Sequence, residues 1–250
     1  MRTKLSIWGA ILTGIFSATG FALNAFSIWP GINWSLIALI GLVVFVVIVW
    51  QGWYASEHRA RQYEASRPKI ICKQTIARQH IDVQGKPIYW AVQVWFINSP
   101  SITSEHSTAK NVTATVTFYD EEKKKEFEMY GCFTETSVPE SEGINRFGDL
   151  RDEIVNWPPN DIPQKLLLAL QWPDDEIAYG LARSNLNVSQ LKAARRKLIK
   201  GLHFVEVLFR GVGVDRQLFW FSLNNLGQGN NLSLKGPIKP PNLHREGYKI

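Results

Sequence analysis

Five histidines, His58, His80, His106, His203 and His244, and two cysteines, Cys72 and Cys132, are the side chains with the most capacity for chemistry. No two of them fall at metal-ligand spacing. There is no H-E-x-x-H and no C-x-x-C, so no zinc site is expected. The acidic groups gather at Asp149, Asp152 and Glu153, and again at Asp174, Asp175 and Glu176. Neither set follows the spacing of a calcium loop, and both read as solvated turns. Gly211-Val-Gly-Val lacks the third glycine of a dinucleotide fingerprint. No G-x-S-x-G elbow is present. Glu105-His106 is an acid–imidazole pair in a Ser/Thr-rich loop, a common loop dipeptide. His203 heads a strand pattern and reads as packed or surface. Both cysteines sit in strand patterns and read as small core residues. The expectation is a protein that is not an enzyme, with no catalytic residue, no metal and no cofactor.

The elements that would position any site divide the chain sharply. Of 28 Lys and Arg, only Arg2 and Lys4 lie in the first 56 residues, which hold no Asp or Glu. The remainder carries 26 basic against 22 acidic residues, a mild excess that does not predict a nucleic-acid partner. Residues 5–29 and 32–56 are each 25 residues without a charge. A helix rises about 1.5 Å per residue, so about 20 residues cross a hydrocarbon core. The expectation is a transmembrane hairpin over 1–56, with helices at about 5–29 and 32–56 and a turn at 30–31. Trp8, Trp29, Trp34, Trp50 and Trp53 fall near the ends of the two runs, where indole rings favour the membrane interface. Ala10, Gly14, Ala18 and Ala22 recur at steps of four and form a helix-packing row. That row suits packing within the hairpin, or a homo-oligomer through the first helix.

Lys and Arg set the expected orientation. Arg2 and Lys4 precede the first run, and Arg59, Arg61, Arg67 and Lys69 follow the second. The turn between has none, so a two-pass integral membrane protein with both termini cytoplasmic is expected.

A juxtamembrane helical stalk over 57–68 is expected to end at Pro68. Beyond it the apolar period becomes two. Residues 87–98 place Trp90, Val92, Val94 and Phe96 on one face, and residues 111–120 place Val112, Ala114, Val116 and Phe118 on one face. Further strands are expected near 70–77, 125–133, 164–172, 177–183, 202–210 and 217–224. Seven or eight antiparallel strands over 69–226 suggest an immunoglobulin-like β-sandwich, with a small β-barrel as the alternative. Residues 189–200 read as a short basic helix. Its Lys192, Arg195, Arg196, Lys197 and Lys200 offer contact to anionic lipid, against the simpler reading of a solvated connector. Residues 227–250 read as a disordered tail.

The function expected from this layout is a membrane-anchored interaction protein presenting a cytoplasmic β-sandwich. Its partners are the bilayer and a protein or small ligand. The alternative is a ligand sensor whose β domain controls self-association of the hairpin.

Overall fold

The computed structural model describes residues 34–81, 84–134, 151, 153–182, 192–193, 195–227 and 232–241. The chain divides into two compact units, Met1–Gln62 and Tyr63–Ile250.

One helix, α1 (Trp34–Ser66), opens the described structure. Straight-chain and small residues carry it past the apolar run through Glu57, Ala60, Arg61, Gln62 and Ala65. It stops where Pro68 pushes its predecessor out of the helical region. The second apolar helix and the stalk are therefore one continuous element. The hairpin expectation is corrected accordingly: the described residues contain a single long helix. The run 5–29, the turn 30–31 and the residues Trp8, Ala10, Gly14, Ala18, Ala22 and Trp29 lie outside them.

Twelve strands follow among the described residues: β1 (Ile70–Ile81), β2 (Pro87–Asn98), β3 (Ala109–Tyr119), β4 (Lys125–Tyr130), β5 (Cys132–Thr134), β6 (Glu153–Trp157), β7 (Gln164–Gln171), β8 (Ala178–Gly180), β9 (Lys197–Leu198), β10 (Gly201–Val212), β11 (Val214–Asn225) and β12 (Leu232–Ile238). They form two six-stranded antiparallel sheets. One runs β1-β2-β7-β8-β9 with β5 also on β7, and the other runs β12-β11-β10-β3-β4 with β6 also on β3. This is a sandwich and not the alternative barrel. It holds more strands than the seven of the immunoglobulin constant-type arrangement.

The alternating residues meet between the sheets. Val92, Val94 and Phe96 of β2 face Phe209 of β10 and Phe219 and Phe221 of β11, with the Phe96 and Phe209 rings 4.7 Å apart. Val112, Ala114, Val116 and Phe118 of β3 are buried in the same core. Phe133 and Trp157 complete it around Phe209.

Two turns need glycine. Gly213, at φ +81°, reverses the chain between β10 and β11. Gly131 sits where the chain leaves one sheet for the other. A Cβ there would lie 2.7 Å from Leu166 Cδ1 and 2.9 Å from Ala114 Cβ, so only glycine lets the sheets approach at that point.

Three expectations change here. The single strand expected over 125–133 is two strands, β4 and β5, in different sheets. The basic helix expected over 189–200 gives way by Lys197 and Leu198, which form β9 against β8 with Leu198 fully buried. The tail expected from 227 contains β12, which pairs with β11. In each case pairing with a neighbour outweighs a weak local pattern.

Candidate functional site

Among the described residues the most elaborate polar construction is the joint at the last turn of α1, Tyr63–Ser66, which lies within the second unit. An α-helix leaves its last four carbonyls without intrahelical partners. Here all four are satisfied. Tyr63 accepts from Ser66 Oγ at 2.9 Å and Glu64 from the Arg67 N–H at 3.3 Å. Ala65 accepts from the Ile102 N–H at 2.9 Å, and Ser66 accepts from Ser107 Oγ at 2.7 Å. The loop between β2 and β3 thus caps the helix. The loop itself is shaped by a capping box, in which Ser104 Oγ accepts from the His106 N–H and Ser107 Oγ accepts from the Ser104 N–H.

The chain leaving the helix is fastened next. Lys69 N–H donates to Asn98 Oδ1 at 3.1 Å and Ile70 N–H donates to Gln217 Oε1 at 2.8 Å. Arg67 Nη1 meets Asp215 Oδ2 at 3.0 Å, with its guanidinium over the Tyr63 ring. That ion pair is largely solvated and adds little stability. Asn98 is the centre of the joint: it is 0 % exposed, and its Nδ2 donates to the carbonyls of both Ser107 and Trp157 at 2.8 Å. One side chain therefore ties β1, the capping loop and the end of β6.

The far end of the sandwich is closed in the same way. Asn225, 1 % exposed, ends β11; its Nδ2 donates to the carbonyls of Glu176 and Leu198, and its Oδ1 accepts from Gln171 Nε2 and the Gly227 N–H. The sequence carried a signal for both residues. Asn98 continues the inward row Val92, Val94, Phe96, and Asn225 continues the inward row Phe221, Leu223. A polar residue on the apolar parity of a strand is either an error in register or a buried hydrogen-bonding hub.

Replacing Ser107 with alanine leaves the Ser66 carbonyl and the Ser104 N–H unpartnered. The expected cost is about 1–3 kcal/mol, from the desolvation of groups that lose their partner. Thermal unfolding of the full chain in detergent measures it.

The residues singled out by sequence separate. Trp50 and Trp53 are exposed on α1; Trp34 begins the helix. Lys192 donates to Asp175 at 2.7 Å and lies over the Trp172 ring; the hydrogen bond to Asp175 raises its pKa. Arg195, Lys197 and Lys200 are exposed beside β9, at the end of the sandwich opposite the joint. His203 is buried, and it pairs with Glu126, a contact that sequence reasoning missed. Burial pushes the Cys72 thiol up to about 11, so it stays protonated and inert at neutral pH. Neither cysteine is bridged. Among the described residues no group of three His, Cys, Asp or Glu could hold a metal ion.

Helix followed by two-sheet sandwich is the class this fold defines. No family model matches the chain, and no curated protein matches it. Among solved structures it is similar to a chain of the archaeal flagellum of Methanospirillum hungatei strain JF1, at 11 % identity and a TM-score of 0.29, covering 79 % of this chain and 96 % of that one. A superposition of that quality carries neither assembly nor activity across. With a single helix in place of a two-pass hairpin among the described residues, the expectations of a two-pass protein with cytoplasmic termini, and of a cytoplasmic interaction module or ligand sensor, are withdrawn.

Proposed function

We propose that the protein is a non-catalytic structural subunit that assembles with copies of itself through its apolar helix. The observation that carries this is the state of α1. From Leu42 to Trp50 every residue is apolar, so the helix is apolar around its whole circumference. No residue from 39 to 56 is buried. Burying one such side chain contributes about 1.5–3 kcal/mol, so a surface of this extent is not left in water. By length and composition the stretch Leu39–Ser66 also suffices to cross a membrane. Packing against other helices is favoured by Gly41 and Gly52, where nothing lies within 4 Å of a Cβ position and another backbone has room to approach. Ala10, Gly14, Ala18 and Ala22 would extend that small-residue contact along the preceding run. The capped last turn, Tyr63–Ser66, suits a structural role, because its backbone groups are held by hydrogen bonds from Ile102 and Ser107 and not by mobile surface charges. The helix, and not the likeness to the flagellum chain, supports this reading.

The test is assembly of the full chain on removal of detergent, followed by light scattering and electron microscopy. The wild type is expected to form multi-copy particles. The double substitution Val44→Asp and Val47→Asp is expected to leave single copies with an unchanged β-sheet circular dichroism spectrum. Wild-type protein that enters lipid vesicles as single copies, with no cross-linking between chains, would overturn the proposal.

A further inference from the structure

His203, the third residue of β10, is 2 % exposed. Its Nδ1 lies 2.8 Å from Glu126 Oε2 and its Nε2 lies 2.8 Å from the Ile199 carbonyl. Both partners are acceptors. A neutral imidazole has one N–H and can serve only one of them; the imidazolium serves both. The two partners belong to different sheets. Glu126 is on β4, at the edge of one, and Ile199 directly follows β9, at the edge of the other. Asp120, from the turn between β3 and β4, adds a second negative charge, whereas Leu223, opposite on β11, adds none. Burial works against the charged ring, but the Glu126 carboxylate, the Ile199 carbonyl and Asp120 outweigh it, and the pKa of His203 stands above its ordinary value.

We propose that His203 is a proton-dependent clip that holds the two sheet edges together at one end of the sandwich. Charged, it donates one hydrogen bond to β4 and one to the connection after β9. On losing its proton it keeps one and presents a lone pair to the other acceptor. The weaker attachment is the Ile199 carbonyl, because a carboxylate is a stronger acceptor for the remaining N–H than a peptide carbonyl. Deprotonation therefore loosens the connection at Ile199 and Lys200, where Ile199 is already exposed, while β9 stays paired with β8 and Leu198 stays bonded to Asn225. Since the folded pKa is raised, the clip contributes fully below the unfolded-state value of about 6.5 and is lost as pH rises through the folded value.

Hydrogen exchange of the full chain in detergent, read by mass spectrometry between pH 5.5 and 8.5 and corrected for intrinsic rates, tests this. Protection of peptides covering 197–203 is expected to fall roughly tenfold as pH rises, the scale of one lost charge-assisted hydrogen bond, while peptides from β2 and β11 hold constant. Glu126→Gln keeps a side-chain acceptor without the charge and is expected to move that transition to lower pH. His203→Gln, if it folds, is expected to abolish it. Protection of 197–203 that is flat across this range in the wild type would overturn the clip. So would a transition that Glu126→Gln leaves in place.

Discussion

Asn98→Leu is expected to be among the most damaging single substitutions in this chain. Leucine has the same number and branching of side-chain heavy atoms as asparagine and suits an interior position, so no cavity opens. What is lost is three hydrogen bonds at a site with no access to water. The Lys69 N–H loses its acceptor, and the Ser107 and Trp157 carbonyls lose their donor. Orphaning a buried backbone group costs about 1–3 kcal/mol, so the sum is about 3–5 kcal/mol or more before any relaxation. The damage also spreads by connection. Ser107 holds the helix end, and the backbone carbonyl of Asn98 accepts from the Asn160 N–H at 2.7 Å. Chemical unfolding of the full chain in detergent, followed by tryptophan fluorescence, measures the loss. Asn98→Asp separates hydrogen bonding from shape. It keeps the acceptor for Lys69 but faces a carboxylate against two carbonyls, which favours the protonated acid in the folded state. Its folded pKa is therefore raised, and it should be least stable at neutral pH and recover as pH falls through that raised value. A loss below about 1 kcal/mol for Asn98→Leu would show that water reaches the joint and replaces the amide.

Phe209→Ala is the second large effect. Phe209 is fully buried, and its ring lies 4.7 Å from Phe96, 5.9 Å from Phe219, 6.2 Å from Phe133 and 6.5 Å from Trp157 by centroid. These residues come from both sheets, so the ring is the wedge between the layers. Truncation loses transfer free energy and leaves a cavity, together about 3–5 kcal/mol. For a domain of this size each kcal/mol lowers Tm by about 2–4 °C. A fall of roughly 6–20 °C is expected by calorimetry, with the helix signal of α1 retained. Phe209→Leu, which fills much of the space, should cost well under half as much.

Most of the inner face was legible in the sequence. β2 and β3 announce themselves by strict alternation, because one face must be apolar where two sheets meet. The strands expected near 202–210 and 217–224 are β10 and β11, and the reversal between them falls at Gly213, since it needs φ > 0 and glycine supplies it. β6, β9 and β12 were not. β9 is two residues long, β6 is five, and β12 contains Gly236 and Pro237, which depress any strand signal. Such strands exist because a neighbour offers unpaired backbone groups, and a local window cannot see the neighbour. The basic run 192–200 misled for the same reason: alternating Lys, Arg and Ala suit a helix, but Leu198 finds a buried place beside Ala178 of β8.

By itself the sequence determined that an uncharged apolar segment precedes an antiparallel β domain, because charge depletion and period-two alternation are properties of residues taken in order. Only the tertiary structure decided which polar residues matter. Asn98 and Asn225 look like strand ends, and His203 looks like any histidine, until packing removes water from around them. Once water is gone each hydrogen-bonding group must find a partner within the protein. The partners it finds come from strands far apart in the chain, which is the information a linear reading does not hold.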